Sequence, residues 1–261
     1  MSLLREYRSA LDSWRIWSFL GLNDVRSRYK RTLFGPFWHA LTLGIWGVGV
    51  GYIYGALFNQ DMSFFLPYLT IGFVLWGSIT TSLVDAGYAF INSEGYIKQF
   101  PRPRQIYVLR FWLANLIMLG MGVLVFLGIA FFFNRPFDAG SLWAIPGLIA
   151  FAAVAYAHSS ILSHVTVFAR DVPHLMSGIV QVLFFVTPII YTTEMLARRG
   201  LQFVYEFNPL WYVLEIVRYP LMHATAPATE IWSFTLLYLL LVATLAVVIE
   251  NACKKRLIYH L

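Results

Sequence analysis

Long apolar blocks dominate this chain and decide what it can fold into. Each is close to the roughly 20 residues that a helix needs to cross a hydrocarbon core of about 30 Å. A strand in lipid would leave its backbone groups unpaired, so helices are predicted. Only 12% of the residues are charged and 59% are hydrophobic, unlike an ordinary soluble domain. The prediction is an all-α integral membrane protein with six transmembrane helices. We place them at about Phe37–Phe58, Phe65–Phe90, Ile106–Phe133, Leu142–Phe168, Pro173–Tyr191 and Ile231–Ile249.

The Lys and Arg residues indicate how these helices are oriented. Fifteen of the 19 lie before residue 37, between the second block and the first turns of the third, after the fourth block and at the C-terminus. Arg135, Arg198, Arg199 and Arg218 fall on the opposite side. Because cytoplasmic loops are enriched in Lys and Arg, both termini are predicted to face the cytoplasm. The net charge of +6 reflects this asymmetry, and no nucleic acid partner is predicted.

An amphipathic helix is predicted before the first block, over residues 3–19. Arg8, Asp12 and Arg15 lie opposite its apolar stripe. A helix with aromatic groups on one face and basic groups on the other lies flat in the bilayer interface. The alternative is a solvated helix that packs on a partner. The stripe consists of Leu4, Tyr7, Leu11, Trp14 and Trp17.

Two connecting segments have a pattern of their own. Residues 92–107 are predicted to form a short cytoplasmic helix followed by a stiff, proline-containing turn. The exposed apolar groups Tyr96, Ile97 and Phe100 in this loop fit a docking surface better than a bare linker. Residues 192–229 are apolar but interrupted by Gly200, Asn208-Pro209 and Pro220. We therefore expect broken helices there that enter the outer leaflet and return.

The sequence carries no recognisable catalytic machinery, metal site or cofactor site. It has no G-x-x-x-x-G-K-[ST], G-x-S-x-G or H-E-x-x-H. The single cysteine, Cys253, excludes a disulfide within the chain and any CxxC motif. His158 and His164 are six residues apart and fall on different helix faces, so a metal pair is not expected. Asp85 near the end of the second block either pairs with a neighbouring cation or lines a polar pathway.

Glycines and aromatic residues mark the first and fifth blocks. Gly47, Gly51 and Gly55 recur at every fourth position, which predicts close helix packing, either within one subunit or along a pore or dimer seam. Aromatic side chains stack on the apolar faces of sugar rings and would suit the lining of a pore for an amphipathic polymer. The predicted channel-lining residues are Trp38, Trp46, Tyr52, Tyr54, Phe184, Phe185 and Tyr191.

Several motifs, taken in order along the chain, resemble one family. DVRSRYKRTLFGPFW at Asp24–Trp38 is similar to a family pattern D-x-R-x-R-Y-x-R-x-x-L-G-x-x-W, from which Thr32 and Phe34-Gly35-Pro36 depart only in spacing. The others are FPRPRQIYVLR (Phe100–Arg110), FARDVPHL (Phe168–Leu175), TPIIY (Thr187–Tyr191) and FNPLWYVLEIVRYPLM (Phe207–Met222). The chain resembles the ABC-2 membrane subunits, specifically polysaccharide exporters of the O-antigen, capsule and teichoic acid type.

The resemblance implies a homodimer of six-span subunits in a bacterial inner membrane, driven by two copies of a separate ATP-binding ABC subunit. It implies a lipid-linked glycan as substrate, with the first and fifth spans lining its path and the broken external helices as a gate. Residues 1–36 would form the interface helix and basic access segment, and residues 37–261 the transmembrane domain. The lipid phosphate would meet Arg26, Arg28, Lys30 and Arg31, since Arg pairs bidentately with phosphate oxygens. The ATPase would contact Tyr96, Ile97, Lys98, Phe100 and Arg102.

Two alternatives remain open from the sequence. One is an ABC-2 exporter of a drug or another small molecule. The other is a membrane-embedded acyltransferase that uses His158 or His174 with Asp85 or Asp171. Such an enzyme would act without ATP, whereas the exporter depends on a partner that hydrolyses it.

Overall fold

The protein is described by a computed structural model, which covers residues 3–30, 32–33, 37–100, 102–254 and 256–261, without the side chains of Leu4, Phe37, His39, Ala40 and Ile258. All regular structure within these ranges is helical. The α-helices are α1 (Leu3–Asp12), α2 (Trp14–Arg28), α3 (Phe37–Leu57), α4 (Met62–Leu83), α5 (Glu94–Gln99), α6 (Gln105–Phe132), α7 (Ala144–Phe168), α8 (Val172–Val186), α9 (Thr193–Ala197), α10 (Phe203–Glu206), α11 (Pro209–His223), α12 (Thr229–Cys253) and α13 (Leu257–His260).

Four helical segments of the described chain are long and apolar enough to cross a membrane. They are Met62–Tyr88, Gln105–Phe132, Ala139–Phe168 and Thr229–Cys253. Two shorter apolar helical stretches, Leu41–Leu57 and Val172–Val186, accompany them. The all-α membrane class predicted from the apolar blocks is thereby confirmed, and each predicted block coincides with one of these six segments.

Helix α4 occupies the centre of the bundle. In the 18-residue apolar stretch of this segment, 72% is buried inside the bundle, compared with 22% of the equivalent stretch in α12. Helices α3, α6, α7, α8 and α11 all pack against it, while α7 also packs against α11 and α12. The core includes fully buried Ile71 and Leu75 of α4 and Val213 and Ile216 of α11. The segment 192–229, predicted to form broken helices, is therefore part of the core through α11.

Two predicted spans end earlier than the apolar pattern suggested. Helix α4 stops at Leu83, and 3-10 turns at Asp85–Tyr88 and Ile91–Ser93 follow it. Helix α8 stops at Val186 because Thr187 precedes Pro188 and has extended backbone angles, φ −86° and ψ 131°. A proline disfavours the α conformation of the residue before it. Asp85 consequently lies in a turn beyond the helix.

The predicted N-terminal helix is two helices, α1 and α2, separated at Ser13. The Ser13 hydroxyl donates to the Ser9 carbonyl oxygen at 2.8 Å, a local bond of the kind by which serine competes with regular helix geometry. The predicted apolar stripe is divided as well. Tyr7 and Trp17 are half-buried against the bundle, whereas Leu11 and Trp14 are exposed. Leu4 lies outside the described side chains.

The three glycines spaced by four residues in α3 pack against α4. A Cβ atom on Gly51 would lie 2.3 Å from Leu66 Cδ2, and one on Gly55 would lie 2.7 Å from Met62 Cε. A Cβ atom on Gly47 would meet Thr70 Oγ1 at 3.0 Å. Close approach of two helices in lipid depends on such small residues. Of the two interpretations of this stripe, packing within one subunit is the one these contacts support.

Candidate functional site

A cavity of about 330 Å³ lies between α2, α3, α4 and α6. It is bounded by the end of α2 and by the turn after α4, and it extends along α6 to Met118 and Leu119. The basic segment, the turn and the start of α6 therefore meet at one place. Its lining includes Asp24, Arg28, Leu43, Phe73, Thr81, Asn92, Ser93, Arg110, Phe111 and Asn115.

An ion pair between Asp24 and Arg110 forms part of the cavity wall. Arg110 donates from Nε to Asp24 Oδ2 and from Nη2 to Asp24 Oδ1, both at 2.6 Å. Arg110 Nη1 is buried and has no hydrogen-bond acceptor among the described residues. The ring of Tyr96 from α5 lies 5.9 Å from the Arg110 guanidinium carbon. Arg110 thus connects the cavity to the α5 segment.

Arg28 supplies the positive charge of the cavity. Its side chain lines the cavity and is exposed, and no carboxylate lies within ion-pair distance of it in the described part of the chain. Asp24 pairs with Arg110, and the charge of Arg28 interacts with that of Asp85 in the turn after α4. The neighbouring Tyr29 hydroxyl points to Met118 Sδ at 3.9 Å, and burial raises the pKa of Tyr29.

The remaining side chains that line the cavity change from polar to apolar along its length. Asn115 Nδ2 donates to the Ser78 carbonyl oxygen at 3.1 Å, and Ser78 Oγ is buried without a partner among the described residues. Beyond them the walls are Phe73, Val74 and Leu119. A cation at one end and apolar walls at the other are the features that an amphipathic anion would match.

The predicted phosphate-binding residues are separated by the structure. Arg28 lines the cavity, whereas Arg26 and Lys30 are exposed and lie outside its lining. Neither of these two has an ion-pair partner within the described ranges. Arg31 lies outside the described residues, as do Phe34, Gly35 and Pro36.

The predicted channel-lining aromatics divide into two groups. Phe184 lies against the core, with ring centroids 6.1 Å from Phe73 and 5.9 Å from Trp76. The other six are exposed or half-buried: Trp38, Trp46, Tyr52, Tyr54, Phe185 and Tyr191. A lining role for either group remains a prediction.

The predicted docking segment centres on α5. Ile97 packs against the cluster around Phe90 and Val108, while Tyr96 and Phe100 are 49% and 52% exposed. Lys98 and Arg102 are also exposed. Lys98 Nζ donates to Glu94 Oε1 at 2.6 Å, and this hydrogen bond lowers the pKa of Glu94. The helix is therefore anchored on one side and presents aromatic and basic groups on the other.

Two buried ionic sites, the Arg218–Glu215 pair and Glu250, were not predicted from the sequence. Arg218 is fully buried, pairs with Glu215 and donates from Nη1 to the Pro188 carbonyl oxygen at 2.8 Å. Glu250 is buried in α12 and accepts hydrogen bonds from Ser160 and, at 2.6 Å, from the Tyr7 hydroxyl. The sequence did contain a signal for the Arg218–Glu215 pair, because these opposite charges are three residues apart in an apolar stretch.

The histidines considered for an enzyme have other environments. His158 is buried, and its Nε2 lies 2.8 Å from the Tyr238 hydroxyl oxygen. His174 is exposed on α8. No group of three or more His, Cys, Asp or Glu residues in the described part of the chain could hold a metal ion. Among the described residues, neither His158 nor His174 is shown hydrogen-bonded to a carboxylate.

Comparison with known proteins identifies the class of this helical bundle. A family model described as the ABC-2 type transporter matches residues 17–222. The chain therefore belongs to the ABC-2 type transporter family, and it is a membrane transport subunit. Two curated relatives are both named O-antigen export system permease protein RfbA and come from Klebsiella pneumoniae. They are 25% and 24% identical to this chain over 193 residues, which is 72% of this chain and 72% of each relative.

Proposed function

We propose that this chain is the membrane-spanning permease of an ATP-driven exporter that moves a lipid-linked, O-antigen-like polysaccharide across the bacterial cytoplasmic membrane. The observation that carries the proposal is the amphipathic cavity beside Arg28 in a chain related to O-antigen export permeases. A lipid-linked glycan has a charged phosphate group next to an apolar lipid tail. In the cavity, the cation Arg28 would face the phosphate and the apolar walls would face the lipid tail.

The proposed topology has six spans, with both termini in the cytoplasm. The proposal assigns one crossing to each of the four long apolar helices and to each of the two shorter stretches. Helix α8 has 15 residues and is about 22 Å long at 1.5 Å per residue. It therefore needs the extended segment after Thr187 to complete its passage. The helices α9 to α11 would then enter the outer leaflet from the external side, where the backbone of α11 is covered by α4, α7 and α12.

The proposed assembly is a homodimer with two copies of an ATP-binding subunit. Members of the family normally work with such a subunit. The segment with the features of a docking surface is α5, because Ile97 anchors it while Tyr96 and Phe100 remain exposed. Its link to the cavity through Tyr96 and Arg110 provides a route by which movement of the partner would reach the substrate.

The proposed substrate path runs from the cavity along the first and fifth spans. Trp46, Tyr52 and Phe185 are each more than half exposed, so an aromatic surface is available on α3 and α8. Lipid contact also exposes aromatic groups, and the dimer decides which of them line a channel. Phe184 also packs against Phe73 and Trp76, and its role in lining the path stays a prediction.

Deletion and co-purification test this function. Cells lacking the chain should accumulate lipid-linked glycan on the cytoplasmic side of the membrane and lose the polymer from their surface. The purified chain should form a stable complex with the ATPase encoded beside it. Surface polysaccharide that persists in the absence of that ATPase would contradict the proposal.

A small-molecule exporter is the second candidate. The cavity of about 330 Å³ lies at the small end of the range of roughly 300–1,000 Å³ that is typical of ligand sites. Arg28, the cation of its lining that is not paired with Asp24, would favour an amphipathic anion. In that case deletion would raise the sensitivity of the cells to such compounds and leave lipid-linked glycan at its normal level.

A further inference from the structure

The segment after α8, residues 187–191, is bent and non-helical. In the proposed topology it completes the fifth crossing of the membrane. Thr187, Pro188 and Ile189 are buried, so this backbone lies inside the protein. Non-helical backbone at membrane depth is tolerated where the protein supplies partners for its polar groups. The segment therefore depends on donors from neighbouring helices.

The carbonyl oxygen of Pro188 is bound by side chains from two other helices. Arg218 of α11 donates to it from Nη1 at 2.8 Å, and the hydroxyl oxygen of Tyr68 in α4 lies 3.1 Å from it. No backbone N–H in the described part of the chain donates to this oxygen. A carbonyl oxygen has two lone pairs, so the two side chains together satisfy it.

The guanidinium group of Arg218 is held by three neighbours. Besides binding Pro188, it donates from Nε at 3.1 Å and from Nη2 to Glu215 Oε1. Its Cζ atom lies 4.1 Å from the centroid of the Tyr68 ring, and the whole side chain is buried. A planar guanidinium can bind a carboxylate and a carbonyl at once, whereas the single ammonium of a lysine cannot reproduce this geometry.

This contact also sets the position of two aromatic residues at the end of α8. The Tyr191 hydroxyl donates to the Phe185 carbonyl oxygen, so Tyr191 folds back onto the last turn of the helix. Ile189 points the other way, into the core against α4. A Cβ atom on Gly72 of α4 would lie 3.3 Å from Ile189 Cγ2 and 3.5 Å from Arg218 Nη1. The absence of a side chain at Gly72 gives room to both.

We propose that Arg218 is a positioning residue for the substrate path. Through the Pro188 carbonyl it fixes the non-helical end of the fifth span against α4 and α11, with Tyr68 as the second donor. This role rests on the proposed function, because Phe185 and Tyr191 matter for transport only if they line the path of the glycan. The contact also couples α11 to the fifth span, so a movement of α11 would displace residues 187–191.

Thiol labelling of the purified transporter in nanodiscs tests the position and needs no substrate. In a Cys253→Ser background, Ile189→Cys places a thiol in the buried segment and Val180→Cys places one at a buried site within α8. Arg218→Lys keeps a positive charge beside Glu215 but loses the hydrogen bond to the segment. We expect it to speed the reaction of Ile189→Cys with N-ethylmaleimide about tenfold, since a charge-assisted hydrogen bond is lost. The reaction of Val180→Cys should not change.

Tyr68→Phe is a second and milder variant. It removes the hydroxyl group but keeps the ring beside the guanidinium, and it should speed labelling of Ile189→Cys roughly twofold to tenfold, the value of one neutral hydrogen bond. Tyr212→Phe is the matched control. Tyr212 is also buried, and its hydroxyl donates to the Glu206 carbonyl oxygen at 3.0 Å, which is outside residues 187–191.

The labelling rates separate positioning from general stabilisation. If Arg218→Lys speeds labelling equally at Ile189→Cys and Val180→Cys, Arg218 only stabilises the bundle and the proposal is wrong. Unchanged labelling of Ile189→Cys would also overturn it. Equal effects of Tyr68→Phe and Tyr212→Phe would contradict the arrangement of two donors on one carbonyl.

Export measures the consequence for the path. Arg218→Lys should slow the appearance of surface polysaccharide about tenfold, in line with the loss of the same hydrogen bond, while the amount of co-purified ATPase stays normal. Normal export by a variant with faster labelling would exclude a role of Arg218 in the path. The proposed function fails on a different result, normal export by the deletion strain, and the labelling rates would then still report how the segment is held.

Discussion

Asp24 and Arg110 form a two-pronged ion pair that joins the end of α2 to the start of α6, with both contacts at 2.6 Å. The two side chains are 35% and 17% exposed, so the pair is partly shielded from water. It holds the basic segment against the bundle beside the cavity. We therefore expect it to contribute more to stability than an ion pair on the open surface.

Replacing Asp24 with Asn tests that contribution. Arg110 would lose its charged partner while remaining partly buried, and we expect the free energy of unfolding to fall by about 1–3 kcal/mol. Thermal unfolding of the purified complex in nanodiscs measures the change. Glu94→Gln is the control, because the Glu94–Lys98 pair is exposed and its loss should leave the melting temperature unchanged. Equal effects of the two substitutions would show that the Asp24–Arg110 pair has no special structural role.

Arg28 should matter more for export than Arg26. Both are exposed cations on α2, but only Arg28 lines the cavity. A charge-assisted hydrogen bond to a phosphate oxygen is worth about 1.5–3 kcal/mol, so Arg28→Gln should slow export roughly tenfold or more. Arg26→Gln should reduce it much less. Pulse-labelling of surface polysaccharide measures the rate, and co-purification with the ATPase verifies assembly.

The export rates of the Arg28 and Arg26 variants also distinguish two roles of the basic segment, namely orienting the chain in the membrane and binding the substrate phosphate. If both substitutions impair membrane insertion, these residues act only as orientation signals. If both slow export equally while assembly is normal, the cavity is not the place where the charge is needed.

Helix α5 should be required for the complex with the ATPase. Tyr96→Ala and Phe100→Ala remove exposed aromatic groups from the proposed docking surface, so less ATPase should co-purify and ATP hydrolysis should fall. Phe131→Ala is a suitable control, because Phe131 is 81% exposed near the far end of α6. Undiminished co-purification of the Tyr96 and Phe100 variants would exclude α5 as the principal contact.

Gly147 should tolerate no side chain. A Cβ atom there would lie 2.4 Å from the carbonyl oxygen of Ile216 in α11, and a backbone atom inside the core cannot move aside cheaply. Gly147→Ala should destabilise the protein by about 1–3 kcal/mol, the usual cost of overpacking. Gly128→Ala is the control, since no atom lies within 4 Å of a Cβ atom at Gly128. A melting temperature unchanged in both variants would mean that α7 and α11 are less closely packed than described.

The long helices were predictable because their cause is local. A continuous apolar block of about 20 residues has one stable arrangement in lipid, and each of the six blocks coincides with a helix. The early end of α8 also has a local cause in Pro188. The division of the N-terminal segment at Ser13 was not predicted, because the apolar stripe continues through it. The buried contacts of Tyr7 with α12 and of Trp17 with α6 come from residues distant in sequence.

The candidate site was predicted only in outline. The sequence indicated that the basic segment is important, but it could not distinguish Arg28 from Arg26, since both lie on the same exposed end of α2. That distinction depends on which side chain faces the gap between α3, α4 and α6. The packing of α11 into the core against α4, α7 and α12 was not foreseen either.

By itself, the sequence determined that this protein is a helical membrane protein, because hydrocarbon solvent requires every backbone polar group to be paired within its own apolar segment. Its ordered motifs also indicated the ABC-2 family. Only the tertiary structure decided that α4 is central, that Asp24 pairs with Arg110, and that Arg218 is buried against Glu215 and Tyr68. The physical reason is that apolarity specifies burial in lipid without specifying neighbours. Partners and cavities follow from the shapes and the few charges that the packed helices bring together.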